Sequence, residues 1–205
     1  MVAVSVDGKH RFSKTSRPSI TLTSGHGIEG DVHYGPFVRH RYLARRNPKA
    51  PNLRQVHLIP SDLFDALRSS GFAVNPGDLG ENIATVGLDL ESLPLGTILQ
   101  LGASATLELT GLRTPCVLID RFKSGLKKRL QGGAAAPRFR AGVMAIVTNG
   151  GEVCLGTGSG RSFLRLPIWP FRRFKLTHPF DGLIRRRDRE GAAAGRLARH
   201  RSSQA

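Results

Sequence analysis

Short apolar runs, many alternating with polar residues, recur along this chain between stretches rich in glycine, proline and serine. Period-2 alternation puts every second side chain on one face of a strand, so these runs predict β-structure. "VAVSV" (2–6) is the first, and "ITLTSG" (20–25), rich in β-branched residues, is the second. "LRQVHLI" (53–59) predicts a buried strand, and "VNPGDLGENIATVG" (74–87) predicts a turn that closes as a strand. "LPLGTILQLG" (93–102) and "ATLELTG" (105–111) are predicted to pair around a Gly-Ala-Ser turn. "GVMAIVTNGGEVCLG" (142–156) predicts a hairpin, because Asn149-Gly150 tolerates positive φ at both turn positions.

Helical periodicity is clearest in "PSDLFDALRSSG" (60–71), where Leu63, Phe64, Ala66 and Leu67 make an apolar stripe. Ser61 is its expected N-cap and Gly71 its expected stop. "FKSGLKKRL" (122–130) predicts a short basic helix. Residues 26–52 hold no sustained period and read mostly as loop; a loop this long usually carries function. Many strands with one or two short helices predict a mainly β fold, a barrel or closed sheet, rather than βαβ units.

A chain of 205 residues suits one domain and is long enough to bury a core. The net charge of +16 suggests a nucleic-acid binder, but its distribution argues against that. Residues 1–160 carry 19 Lys+Arg against 12 Asp+Glu, whereas residues 161–205 carry 12 against 3. The strand pattern stops near Gly156. A domain over 1–158 is therefore expected, followed by a basic extension over 159–205 whose charged, alanine- and glycine-rich composition predicts disorder. Two cysteines, Cys116 and Cys154, make no disulfide framework and suit a reducing compartment. No run is apolar enough to span a membrane, and the N-terminus lacks the pattern of a signal peptide, so the cytoplasm is the expected location.

Three stretches offer chemistry. In "TGLRTPC" (110–116), Pro115 stiffens the chain entering Cys116, and Arg113 can stabilise a thiolate, the reactive form. Such a group can be a nucleophile, a sulfur carrier or a soft-metal ligand; a lone cysteine is also a common small buried hydrophobe. In "GHGIEGDVHYG" (25–35), Asp31 and His33 are two apart and would share a face of an extended segment. That loop suits an anion or cofactor, with His33 as ligand or proton donor, or is a solvent turn. In "PGDLGENI" (76–83), Asp78 suits a turn, while Glu81 and Asn82 could line a pocket mouth. The basic cluster "RHRYLARR" (39–46) could meet phosphate or be a solvated face. Cys154, with no flanking proline or arginine, reads as a packing residue.

"GIEGDVHYG", "NLRQVHLIPSDLFDAL", "PGDLGENI", "LTGLRTPC" and "AGVMAIV" occur in this order and together resemble the MOSC domains, relatives of the C-terminal domain of molybdenum cofactor sulfurase. The resemblance runs from about residue 2 to 156 and is to the small, free-standing bacterial type. It implies a mostly β, barrel-like fold with a few short helices and a cysteine at the pocket. That cysteine would carry sulfur as a persulfide or ligate molybdenum in a pterin-bound cofactor. Some free-standing members reduce N-hydroxylated compounds. The family cysteine maps onto Cys116, beside Arg113. The family's polar loops map onto Asp31, His33, Gly35, Asp78, Gly80, Glu81 and Asn82 as cofactor-binding positions. A sulfur donor or acceptor protein, or a redox partner, is implied; a membrane is not. The pyridoxal phosphate chemistry of the full sulfurase belongs to a separate domain that this chain does not show. After "GGEVCLG" the chain departs from the family's usual ending.

Overall fold

A computed structural model of the chain describes residues 3–132 and 139–155. The expected boundary at 158/159 and the basic extension lie outside these residues. The described chain is mainly β, in two sheets. One contains β1 (Ala3–Val6), β2 (Thr15–Arg17), β5 (Val56–Pro60), β6 (Ile83–Thr85), β7 (Ile98–Leu101), β8 (Ala105–Leu112) and β9 (Val143–Asn149). Its order is β2-β1-β6-β5-β9-β8-β7, curled into a half-barrel. Every neighbouring pair is antiparallel except β5 and β6, which run parallel. The other sheet orders β10 (Gly151–Cys154), β3 (Ser19–Thr23) and β4 (Gly27–Ile28). Four short helices complete it: α1 (Arg41–Arg46), α2 (Asp62–Ser69), α3 (Val117–Phe122) and α4 (Leu126–Arg129).

Strand alternation divides the core in two. Val4, Val56, Leu58 and Ile83 face one cluster, together with Leu22, Ile28, Leu107 and Val147. Their neighbours Ala3, Ile59 and Ala84 face another, built with Phe64 and Leu67 of α2, Ile119 of α3 and Leu126 of α4. Burying each such side chain stabilises the fold by about 1.5–3 kcal/mol. By the same period, His57 shares the helix-side face with Ile59, and Asn82 shares it with Ala84. These polar side chains therefore reach the helix-side end of the sheet.

Two local expectations change. Asn149-Gly150 is not a hairpin turn: β9 pairs with β5 and β8, while β10 pairs with β3. The chain turns a corner between sheets there. Asn149 Nδ2 donates to the Ser104 carbonyl at 2.7 Å, and Gly150 passes so close to Leu22 that a Cβ would lie 2.7 Å from its carbonyl oxygen. Ser61 precedes α2 as expected, but its backbone is already helical and its hydroxyl caps no N–H. Gly71, at φ +85°, does follow the helix as its left-handed stop. Residues 26–52, read mostly as loop, also hold β4 and α1, and "VLIDRF" forms α3 directly after Cys116.

Candidate functional site

Cys116 sits where β8 ends and α3 begins. A register shift between Leu109 and Gly111 bends the end of β8, and the Arg113 N–H donates to the Gly142 carbonyl at 2.9 Å. Gly142 must be glycine: its φ is +81°, and a Cβ there would overlap the Leu58 carbonyl oxygen. Buried Pro115 then carries the chain into Cys116, which is half-buried at the N-cap of α3. The Cys116 carbonyl accepts from the Ile119 N–H at 3.2 Å.

The sulfur-bearing side chain borders a cavity of about 360 Å³. Cys116, Arg113, His33, Gly80 and Asn82 line it, drawn from all three stretches that the sequence singled out. Lys14, Arg54, His10 and His57 also line it and were not foreseen, and His40 joins them from the basic cluster 39–46. Among the described residues no carboxylate lines this wall. Asp31, Gly35, Asp78 and Glu81 lie outside the lining.

Asp31 works from behind. Its segment is turned rather than extended, with the Tyr34 N–H donating to the Asp31 carbonyl at 3.0 Å. One carboxylate oxygen accepts from the His33 backbone N–H at 2.9 Å and lies 3.2 Å from His33 Nδ1. The other accepts from Lys14 Nζ at 2.5 Å and from Asn82 Nδ2 at 2.9 Å. Burial alone would raise the Asp31 carboxyl, but the His33 hydrogen bond and the Lys14 charge hold it well below the usual carboxylate range. Burial pushes the Lys14 ammonium down, and Asp31 holds it up. Asn82 extends the framework, donating to the Ser5 carbonyl and accepting from the His57 N–H at 3.1 Å. Asp31 therefore positions two wall residues, His33 and Lys14, and steadies Asn82.

Glu81 alternates with Asn82 and points away from the cavity. Its Oε1 accepts from the Gly77 N–H, its Oε2 has no partner, and burial raises its carboxyl. Asp78 closes a turn by accepting from the Asn75 N–H at 2.9 Å. Gly35, at φ +140°, packs against the Arg39 guanidinium. Its carbonyl and that of His33 both accept from Asn52 Nδ2, and Asn52 Oδ1 accepts from the Arg54 N–H at 3.1 Å. One asparagine thus ties the His33 loop to Arg54. Cys154 lies half-buried on β10 opposite Ser19 and does not line the cavity.

The wall is electrostatically one-sided. Burial pushes the Arg113 guanidinium down, while neighbouring Cys116 pulls it back up. Arg54 is likewise pushed down by burial and raised by Cys116. His40 is lowered by burial and by Arg54, and His57 is held well below its ordinary value by burial, then by Arg113. His57 Nε2 donates to the Ala141 carbonyl at 2.8 Å. Arg113 Nη1 and His40 Nδ1 are buried without partners. Such a wall is suited to an anion, with a thiol at its edge. Among the described residues no group of three or more His, Cys, Asp and Glu side chains can hold a metal ion. A metal at Cys116 would have to bring most of its own ligands.

The depressed His57 predicts an acid-sensitive fold. Its folded pKa is depressed, so the unfolded chain binds the extra proton, and stability falls as pH drops below ~6.5. The slope from this one group approaches ~1.4 kcal/mol per pH unit. His57→Gln should flatten the change between pH 6.5 and 5, read from urea midpoints. Identical slopes in both proteins would show that His57 does not control it.

The family model described as the MOSC domain matches residues 29–158. Among solved structures, the YuaD protein from Bacillus subtilis is 22% identical with a TM-score of 0.60, the match covering 74% of this chain and 88% of that one. YiiM from Geobacillus stearothermophilus is 18% identical with a TM-score of 0.53, covering 75% and 70%. These likenesses are of fold. A search of the curated proteins finds no match.

Proposed function

Because this chain belongs to the MOSC domain family, we propose that its cationic cavity handles molybdenum cofactor or the cofactor's sulfur, with Cys116 bearing the sulfur or ligating the metal. The supporting observation is one wall that joins a single thiol to cations and histidines without a carboxylate. The unpartnered Arg113 Nη1 and His40 Nδ1 suit a phosphate-bearing pterin. The volume falls within the range of small-ligand pockets. Arg113, Arg54 and His40 would hold the anionic group, and His33 would face it from the other loop. When bound, the cofactor would supply a redox-active metal carried mainly by its own pterin sulfurs. Cytoplasmic location and a sulfur-donor or redox partner belong to the same proposal.

Protein purified from a host that makes the cofactor tests this directly. Molybdenum is measured by mass spectrometry, pterin by fluorescence after oxidation, and sulfane sulfur by cyanolysis. The expected result is stoichiometric molybdenum with pterin, or stoichiometric sulfane sulfur on Cys116. Turnover of an N-hydroxylated base by the metal-loaded form would assign it to reductase chemistry. If the protein takes up none of the three, even when offered cofactor and polysulfide, the proposal fails. Salt-sensitive nucleic-acid binding through the basic extension would then become the better account.

A further inference from the structure

Half-buried like charges need a reason. Lys14 is paired with Asp31 and Arg11 with Asp7, but neither Arg54 nor Arg113 forms an ion pair among the described residues. Both arginines line the cavity. Arg113 Nη1 is buried with no hydrogen-bond partner, and so is His40 Nδ1 on the same wall. An unpartnered Arg113 donor and uncompensated charge in a desolvated place are destabilising unless an anion fills them. Cys116 lines the same cavity as Arg54, Arg113 and His40, so the unpartnered groups and the sulfur share one locality.

We propose that Arg54, Arg113 and His40 form an oxyanion subsite beside Cys116 that takes the sulfonate end of a thiosulfate-class sulfur donor. This rests on Cys116 being the sulfur-bearing group. A tetrahedral dianion matches two planar guanidinium forks. In thiosulfate the transferable sulfur is one bond from that anionic head, and Cys116 and Arg113 line the same cavity. The Cys116 thiolate attacks the outer sulfur. A new S–S bond forms, the bond to the sulfonate sulfur breaks, and its electron pair leaves on sulfite. Total charge is unchanged, and no external oxidant or reductant is needed. Cys116 is left as a persulfide.

A cofactor phosphate has the same tetrahedral charge but no sulfur to give, so the experiment separates the two. The full chain, reduced, is incubated with thiosulfate; sulfite is assayed, and Cys116 is checked for the mass of one added sulfur. One sulfur on Cys116 and one sulfite per chain are expected. Sulfate and inorganic phosphate should compete, raising the thiosulfate concentration required. Arg54→Gln and Arg113→Gln should each raise that concentration roughly tenfold or more, with a smaller effect on loading from inorganic polysulfide, which lacks the oxyanion head. Competition in the unsubstituted chain keeps the test decisive where a variant folds poorly. If polysulfide loads Cys116 but thiosulfate does not, the subsite proposal is overturned and the sulfur-bearing role survives. The same holds if phosphate shields Cys116 from alkylation while thiosulfate transfers nothing. If neither donor loads Cys116 and the protein holds no molybdenum, both proposals fall.

Discussion

Cys116→Ser should reduce uptake of sulfur or molybdenum to the detection limit, while Cys154→Ser leaves it unchanged. Serine keeps the shape of the side chain but offers a hydroxyl, a far poorer nucleophile and soft-metal ligand than a thiolate. The site around it should survive, because Pro115, the Gly142 anchor of Arg113 and the start of α3 do not depend on the sulfur. Folding stability should change by no more than about 1 kcal/mol, as for other half-exposed replacements. Cys154 is the control, since it lies on β10 in the other sheet, away from the cavity wall. Loading, thiol alkylation rate and thermal midpoint should be measured for all three proteins. Equal loss in both variants, or normal loading of Cys116→Ser, would remove the assignment.

Asp31→Asn should be the most destabilising single change at the site, by about 3–5 kcal/mol. It strands the Lys14 ammonium, whose side chain is only 6% exposed, without its counter-charge. It also weakens the acceptors of His33 and Asn82. Lys14→Met added to Asp31→Asn should recover part of the loss, because it removes the uncompensated charge. The pH dependence gives a second handle. The Asp31 carboxyl is depressed on folding, so its contribution is full above the unfolded value of ~3.9 and is lost as pH falls through the lower folded value. Asp31→Asn should therefore show a shallower decline below pH 4 than the parent. Urea titrations that place the loss under 1 kcal/mol would mean that Asp31 does not hold this corner together.

Strands were the legible part of this sequence. Alternation located β1 and β3 and the paired β7 and β8, and apolar runs marked β5 and β6, because β-branched and apolar residues at strand length bury against one or both core clusters. The corner at Gly150 was not legible, since Asn-Gly permits a tight hairpin equally well; only the presence of β3 as a partner decides where β10 goes. Helix α3 was missed because six residues carry little periodicity, and α1 because its basic face masks one. At the site, "TGLRTPC" was conspicuous through its proline and arginine. His57 gave a faint signal as a polar residue inside an apolar run. Lys14 and Arg54 gave none, because a cation in a loop is usually solvated, while His40 lay in the basic cluster read as able to meet phosphate. Lys14 leads into β2 and Arg54 into β5, while Cys116 follows β8, and the folded sheet brings these strand ends to one cavity. Asp31 and His33 were paired in the sequence for the wrong geometry: a turn around the carboxylate joins them, not an extended strand.

The strand order also has a consequence for synthesis. β9 lies between β5 and β8, and β10 lies beside β3, so residues near 20 and 56 wait for partners near 145 and 152. Pairings this distant in sequence place the domain among slow folders, on the scale of ms to s. While the chain emerges from the ribosome, β5 has β6 on one side and an open edge on the other, a template for pairing with other chains. The Arg113 backbone takes its anchor from Gly142, which is translated well after Cys116. The cations of the wall are all translated before Cys116, but the sheet that gathers them closes only with β9, so the nascent protein passes through a period in which it has the sulfur but not the site.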